Sequence, residues 1–176
     1  MCLAYGNSET LLLDRMRVEP HLYRQAMSRY AGHVQIVTTE HQGRRRGVTI
    51  TAACSVSDDP ATLLVCLNAA NERNSVFLES GIFAVNTLGL ADQTLADVFS
   101  GKTPSLEDDD RFTIGEWSAL TTGAPILTSA MASFDCRIIE AKTVATHMIL
   151  FGEVVGVSAG SPDSPLIYLD RNYRSL

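Results

Sequence analysis

Apolar residues recur three to four apart at Leu22, Tyr23, Ala26, Met27 and Tyr30, which predicts one face of a helix over residues 19–30. Pro20 suits its first turn, and Gly32 is placed to end it. From His33 the period falls to two, and the β-branched run through Thr39 predicts a strand. A polar turn with Gly43 spans residues 41–46, and a second strand is expected at residues 47–54. A third, Thr62-Leu-Leu-Val-Cys-Leu67, is almost continuously apolar, the pattern of a strand buried on both faces. Residues 71–80 suggest a short helix with Val76, Phe77 and Ser80 inward, stopped by Gly81, and then a strand over residues 82–88. Asp92 is placed to cap a helix carrying Leu95, Val98 and Phe99. Residues 101–111 form a loop, and residues 112–120 fit neither period. A short strand is expected at Ile126 and Leu127. Two long strands follow, one at residues 132–144 with Phe134, Cys136 and Ile138 on one face, the other at 147–157. A last short strand covers residues 165–169.

About seven strands with three short helices, and no strict βαβ alternation, describe a β-rich α+β domain. The two long adjacent strands favour a closed or partly closed barrel. No repeat or linker divides the chain. Residues 1–18 read as a flexible N-terminal arm, within which Met16 could serve as a second start, and residues 19–176 as one domain. Composition then removes whole classes. With 45% hydrophobic and 19% charged residues, neither a disordered chain nor a coiled coil fits. A formal net charge of -6 argues against a general nucleic-acid binder and a polybasic membrane-surface protein. No apolar run approaches the ~20 residues that span a bilayer. The start lacks the basic region of a secretory leader, so a cytoplasmic location is the expectation. Cys2, Cys54, Cys66 and Cys136 show no metal-ligand spacing, and Cys66 and Cys136 read as small buried hydrophobes.

The segment 47–60, GVTITAACSVSDDP, carries the candidate chemistry. As one strand it turns Val48, Ile50, Ala52 and Cys54 toward a core, and Thr49, Thr51, Ala53 and Ser55 the other way. The second face is small and hydroxylated, so a planar ligand could approach the backbone closely. The turn that includes Ser55 and Ser57 could offer backbone donors to an anion. No Ser/His/Asp arrangement stands out among His21, His33, His41 and His147. His147 alone opens an apolar strand, where it could donate to a ligand at a barrel rim. Lys102, Arg73, Arg171 and Arg174 are candidates for phosphate contact. The acidic run 107–110 reads as a solvated lip, and Arg44 to Arg46 as a solvated hairpin tip.

Several blocks, in this order, resemble the flavin reductase-like proteins, the split-barrel FMN-binding group that supplies reduced flavin to two-component monooxygenases. They include Arg24-Gln-Ala-Met27, Val34-Gln-Ile-Val-Thr-Thr39, Ala53-Cys-Ser-Val-Ser57, Leu64-Val-Cys-Leu-Asn68, Phe99-Ser-Gly-Lys-Thr-Pro104, Ser133-Phe-Asp-Cys-Arg137, Thr146-His147 and Tyr168…Asp170-Arg171…Tyr173. The resemblance runs from about Tyr23 to the C-terminus. Two branches look closest, the FMN reductases of pyrimidine degradation and the corrin reductases of cobalamin synthesis. The resemblance implies a split β-barrel with short flanking helices, a homodimer, and hydride transfer from NADH or NADPH to FMN or FAD. It leaves open a corrin acceptor, or a non-catalytic flavin- or haem-binding protein on the same barrel. It also implies roles. Thr49, Thr51, Ala52, Ala53 and Cys54 would line the flavin, and Ser55 and Ser57 would serve its polar atoms or phosphate. Asn68, Ser75, Ser100, Gly101 and Lys102 would hold the ribityl–phosphate end, and His147 would sit beside the nicotinamide. Ala145-Thr146-His147 departs from the family's Gly-Asp-His, and Pro60-Ala61 from its Pro-Pro.

Overall fold

The computed structural model describes residues 17–103, 105–161 and 163–176. Nearly all of the expected arm, with Cys2 and Met16, lies outside the described residues, as does Pro104. Twelve strands and three α-helices follow one another along the described chain. Seven of the strands form one antiparallel sheet in the spatial order β3 (Arg44–Ile50), β2 (Gln35–His41), β6 (Ile82–Thr87), β9 (Ala132–Val144), β10 (His147–Ala159), β5 (Ala61–Asn68), β4 (Ala53–Asp58).

That order contains a geometric contradiction unless the sheet curls. β3 and β4 are its two edges, yet only Thr51 and Ala52 join them. Laid flat, the outermost of seven strands would stand about 29 Å apart. Three Cα steps reach at most ~11 Å. The sheet is therefore rolled until its edges meet at Thr51–Ala52, without pairing along their lengths. The inside confirms the roll: Val48, Val37, Phe83, Cys136, Leu150, Val65 and Ala53, one from each strand, belong to a single apolar cluster. A split barrel results, as expected from the sequence.

A second core lies outside the barrel. There α3 (Gln93–Phe99) buries Leu95, Val98 and Phe99 against Val34, Ile36, Leu127 and Leu166. Phe99 contacts Phe112 and Trp117 edge-on, with ring centroids 5.0 and 5.5 Å away. β7 (Trp117–Ala119) and β8 (Pro125–Leu127) form a small hairpin beside it. β1 (Gly32–His33), β11 (Ile167–Leu169) and β12 (Asn172–Arg174) form a three-stranded sheet that crosses the seam. There a Cβ on Gly32 would stand 2.8 Å from the Thr51 Cβ, so the close crossing needs a glycine. α2 (Ser75–Ser80) buries Val76 and Phe77 and ends at Gly81, as expected. No helix among the described residues is long and apolar enough to cross a membrane.

Several sequence expectations are corrected. α1 (Pro20–Met27) ends at Ser28, not at Gly32, and none of its residues is buried. The single strand expected at residues 47–54 is two strands broken at the seam. The break inverts the alternation, so Ala53 joins Val48 and Ile50 on the core side while Cys54 is exposed. β5 is not buried on both faces by protein: Leu63, Val65 and Leu67 enter the core, while Leu64 and Cys66 line a cavity. Asp92 makes no side-chain cap to α3. Its carboxylate accepts from the Gly89 backbone N–H and the Ser129 hydroxyl. The arginines of the β2–β3 hairpin are more than a solvated tip, since each is ion-paired and only Arg44 is exposed. Arg44 pairs with Glu79 and Arg45 with Asp109, each at 2.8 Å. Arg46 is buried against Asp108 and Asn74. Half of the supposed acidic lip is thus the counter-charge of the hairpin. β12 was not anticipated.

Gly47 lies under the Phe99 ring, where an added Cβ would approach Cε1 to 2.4 Å. Phe112 and Trp117 hold that ring, so it cannot retreat. Gly47→Ala is expected to destabilise the fold by ~1–3 kcal/mol through overpacking. Reversible thermal or urea denaturation measures it.

Candidate functional site

Curling the sheet brings chemically useful side chains to the seam. A groove of about 380 Å³ gathers Thr49, Thr51 and Ala52 with Asn68, Ser100, Lys102 and His147. They come from four separate parts of the chain. Asn68 and His147 are opposite each other in the β5–β10 register, which fixes them at one end of the barrel. Ser100 closes α3, and Lys102 follows a left-handed turn at Gly101.

The polar atoms divide into those spent on structure and those left free. The Thr49 hydroxyl donates to the Ala96 carbonyl at 2.8 Å and so anchors α3 to β3. The Ser100 hydroxyl donates to the Asp97 carbonyl at 2.8 Å. The Asn68 Oδ1 accepts from the Ala70 N–H at 2.9 Å, which orients the amide and leaves its NH₂ without a partner among the described residues. His147 Nδ1 lies 2.9 Å from the Thr146 hydroxyl, leaving Nε2 available. Lys102 Nζ donates to Asp97 Oδ1 at 2.6 Å and stands 4.8 Å from the centre of the Tyr173 ring. The hydrogen bond to Asp97 holds the lysine above its ordinary range, so it is a fixed cation. Burial raises the Tyr173 phenol, which stays neutral.

The groove continues into a larger cavity of about 790 Å³, with Thr51, Ala52, Cys66 and Tyr168 common to both. Ala53 and Cys54 line the larger one. Three other expected residues are not brought to the groove. Ser55 and Ser57 line a neighbouring cleft of about 420 Å³, which meets the larger cavity at Ala53 and Cys54, and the Ser57 hydroxyl bonds within its own turn. The Ser75 hydroxyl donates to Glu79 Oε1 at 2.8 Å and lines none of these cavities. Of the other candidate phosphate ligands, Arg73 stands 3.5 Å from Asp108 and Arg174 3.6 Å from Asp170.

Sequence reasoning missed the aromatic wall. Tyr168 and Tyr173 are cross-strand partners on β11 and β12, with ring centroids 5.4 Å apart, and both face the groove. Ile-Tyr-Leu and Asn-Tyr-Arg on either side of an Asp-Arg turn carried the signal, because an antiparallel hairpin sets such residues opposite one another.

One wall of the groove is small residues and exposed backbone, another is aromatic, and one end carries a fixed cation. Such a groove fits a flat ring with an anionic tail. Its one described hydroxyl–imidazole contact is Thr146 to His147, and Thr146 does not itself line the groove. Among the described residues no group of three or more His, Cys, Asp or Glu side chains converges.

Comparisons with known proteins agree. The sequence pattern of the flavin reductase like domain matches residues 27–176. The chain is 45% identical over 159 residues to a protein of Methylorubrum populi named FMN reductase (NADH) RutF, covering 90% of this chain and 77% of that one. A solved Haemophilus somnus chain, 37% identical, superposes with a TM-score of 0.86 over 90% of this chain and 100% of its own. BorF, the flavin reductase component of a bacterial two-component tryptophan halogenase, is 26% identical. It superposes with a TM-score of 0.82, covering 90% of this chain and 98% of that one.

The described cysteines report on this geometry. Cys54 is exposed. Burial, and then neighbouring Cys54, raises the Cys66 thiol. Burial pushes Cys136 up to about 12. Iodoacetamide at about pH 8 is expected to label Cys54 first, Cys66 more slowly and Cys136 only after unfolding, because the thiolate is the reacting form. Peptide mass spectrometry gives the order. Labelling of native Cys136 at the Cys54 rate would mean that the barrel interior is open.

Proposed function

Because the chain belongs to the flavin reductase-like family, we propose that it is an NADH-dependent FMN reductase, which transfers a hydride from NADH to FMN and supplies reduced flavin to a partner monooxygenase. The observation that carries this reading is the groove at the barrel seam, with small residues along one side and Lys102 at its end. When bound, the flavin supplies the ring that accepts the hydride. The chain's own residues bind, orient and exclude water. Thr51 and Ala52 form the bed on which a planar ring can lie against the backbone, and Ala53 and Cys54 continue it at the edge of the larger cavity. Lys102 and the free amide of Asn68 hold the phosphate-bearing tail, with Gly101 supplying the turn that sets Lys102 in place, while Ser100, whose hydroxyl donates to the Asp97 carbonyl, closes the helix end beside them. Thr49 keeps α3, and with it Ser100, at a fixed distance from that bed. Ser55, Ser57 and Ser75 have no part in this reading, since each lies away from the groove. His147 Nε2 donates to the nicotinamide at the mouth, and the Tyr168–Tyr173 wall keeps bulk water off the opposite side. Orientation of two reactants is itself a large part of the rate in such a reaction.

The working unit in this reading is a cytoplasmic homodimer. Its support is the amount of apolar side chain left exposed on α1 and nearby, where Tyr23 is 59% and Tyr30 73% accessible. A second copy covering α1 would bury that surface beside the larger cavity.

Two measurements test the reading. The purified protein with NADH and FMN should consume NADH catalytically, and no turnover would defeat the proposal. His147→Ala should raise the KM for NADH about tenfold, the scale of one lost hydrogen bond to a charged or polarised group, and raise the Kd for FMN less. The reverse ranking would remove His147 from the nicotinamide site.

A further inference from the structure

The larger cavity holds two arginines that the proposed flavin chemistry does not use. Arg24 projects from α1 and Arg171 from the turn between β11 and β12, and both line it. A 2.6 Å hydrogen bond from the Asp170 N–H to the Ser28 carbonyl brings the two elements together. Neither arginine side chain has an ion-pair or hydrogen-bond partner among the described residues. The carboxylate of neighbouring Asp170 faces Arg174 and not Arg171, at 3.6 Å. Among the described residues no aspartate or glutamate lines the cavity. Two unpaired guanidinium groups therefore share one apolar-floored space with Met27, Leu64 and Cys66.

Arg171 also occupies an unusual backbone position. Asp170 and Arg171 form the two-residue hairpin turn with φ of 51° and 62°. Glycine is the ordinary occupant of the second position of such a turn. An arginine there is held against its conformational preference, and a backbone outlier of this kind points to a role for its side chain. The cavity is continuous with the groove across Thr51 and Ala52. A nicotinamide dinucleotide whose nicotinamide meets a ring in the groove carries an anionic diphosphate a few bonds away, within reach of the adjoining cavity.

We propose that Arg24 and Arg171 hold the diphosphate of the nicotinamide dinucleotide in the larger cavity while its nicotinamide reaches across Thr51–Ala52 into the groove. This rests on the flavin reductase reading above. Guanidinium groups suit the task because each can offer two parallel N–H donors to a phosphate. The pair thus selects the dinucleotide over simpler dihydronicotinamides and leaves flavin affinity to Lys102 and its neighbours.

Arg171→Gly and Arg24→Gln separate this from a structural role. Each variant is assayed with FMN and two hydride donors, NADH and the phosphate-free 1-benzyl-1,4-dihydronicotinamide. The ratio of kcat/KM for NADH to that for the benzyl compound is expected to fall about tenfold or more, the loss of one charge-assisted contact. The Kd for NAD⁺, measured by calorimetry, should rise by a similar factor, with the Kd for FMN changing less than about twofold. The thermal midpoint of Arg171→Gly should not fall, because glycine relieves the left-handed turn. Equal losses with both donors, an unaltered NAD⁺ affinity, or an FMN affinity that weakens as much as that for NAD⁺ would each overturn the assignment. If the parent protein turns over NADH with FMN and the donor ratio does not move, only this inference fails. If the parent shows no turnover, the flavin reductase reading itself fails, and the NAD⁺ titrations of the variants still decide the arginine pair.

Discussion

Two residues tie together the opposite edges of a seven-stranded sheet, and much of the architecture follows from that tether. It forces the sheet to roll, so that side chains from every strand share one interior. It breaks the strand at Thr51–Ala52, which reverses the in–out alternation and leaves Cys54 outside. It also leaves a seam of small side chains and incompletely paired backbone, over which the β1–β11–β12 sheet and α1 are laid. The candidate site is a product of closure. Thr49, Asn68, Ser100 and His147 are distant in sequence and become neighbours where the barrel end meets the seam.

The two free edges are protected differently. β3 has no strand partner on its outer side, but α3 accepts the Thr49 hydrogen bond there, Phe99 covers Gly47, and three successive arginines each reach a different acid. Charges on an edge strand discourage pairing with other chains. Arg46 goes further, because burial lowers its pKa and Asp108 opposes that shift, so the pair holds only as a pair. β4 is mostly exposed, is interrupted by a register shift between Ser55 and Ser57, and ends at Asp58 before the turn with Pro60. Such irregularities also blunt an edge.

Local patterns in the sequence were enough for most elements. Alternation gave β2, β6, β9 and β10, and helical spacing with Gly81 gave α2. The ordered family blocks gave the split barrel and several groove residues, Lys102 and His147 among them. What could not be read depended on distant partners. The break at Thr51 is invisible locally because residues 47–54 suit a continuous strand, and only closure of the barrel interrupts them. The arginine hairpin looked solvated because Asp108 and Asp109 lie more than sixty residues away. Asp92 stands where a cap should, yet Gly89 and Ser129 take its oxygens. Ser55 and Ser57 took their expected role from the family resemblance, and the break at the seam leaves them on a cleft beside the groove.

The seam has a thermodynamic meaning as well. Thr51 and Ala52 line both cavities, so a ligand lying across them touches both edges of the sheet at their junction. Such a ligand recognises the rolled chain and not the unrolled one. Its binding free energy is therefore added to that of closure, in proportion to the logarithm of its concentration above Kd. Occupancy of the groove and closure of the barrel are one linked equilibrium, in which supply of the small molecule sets how large a share of the chain is rolled.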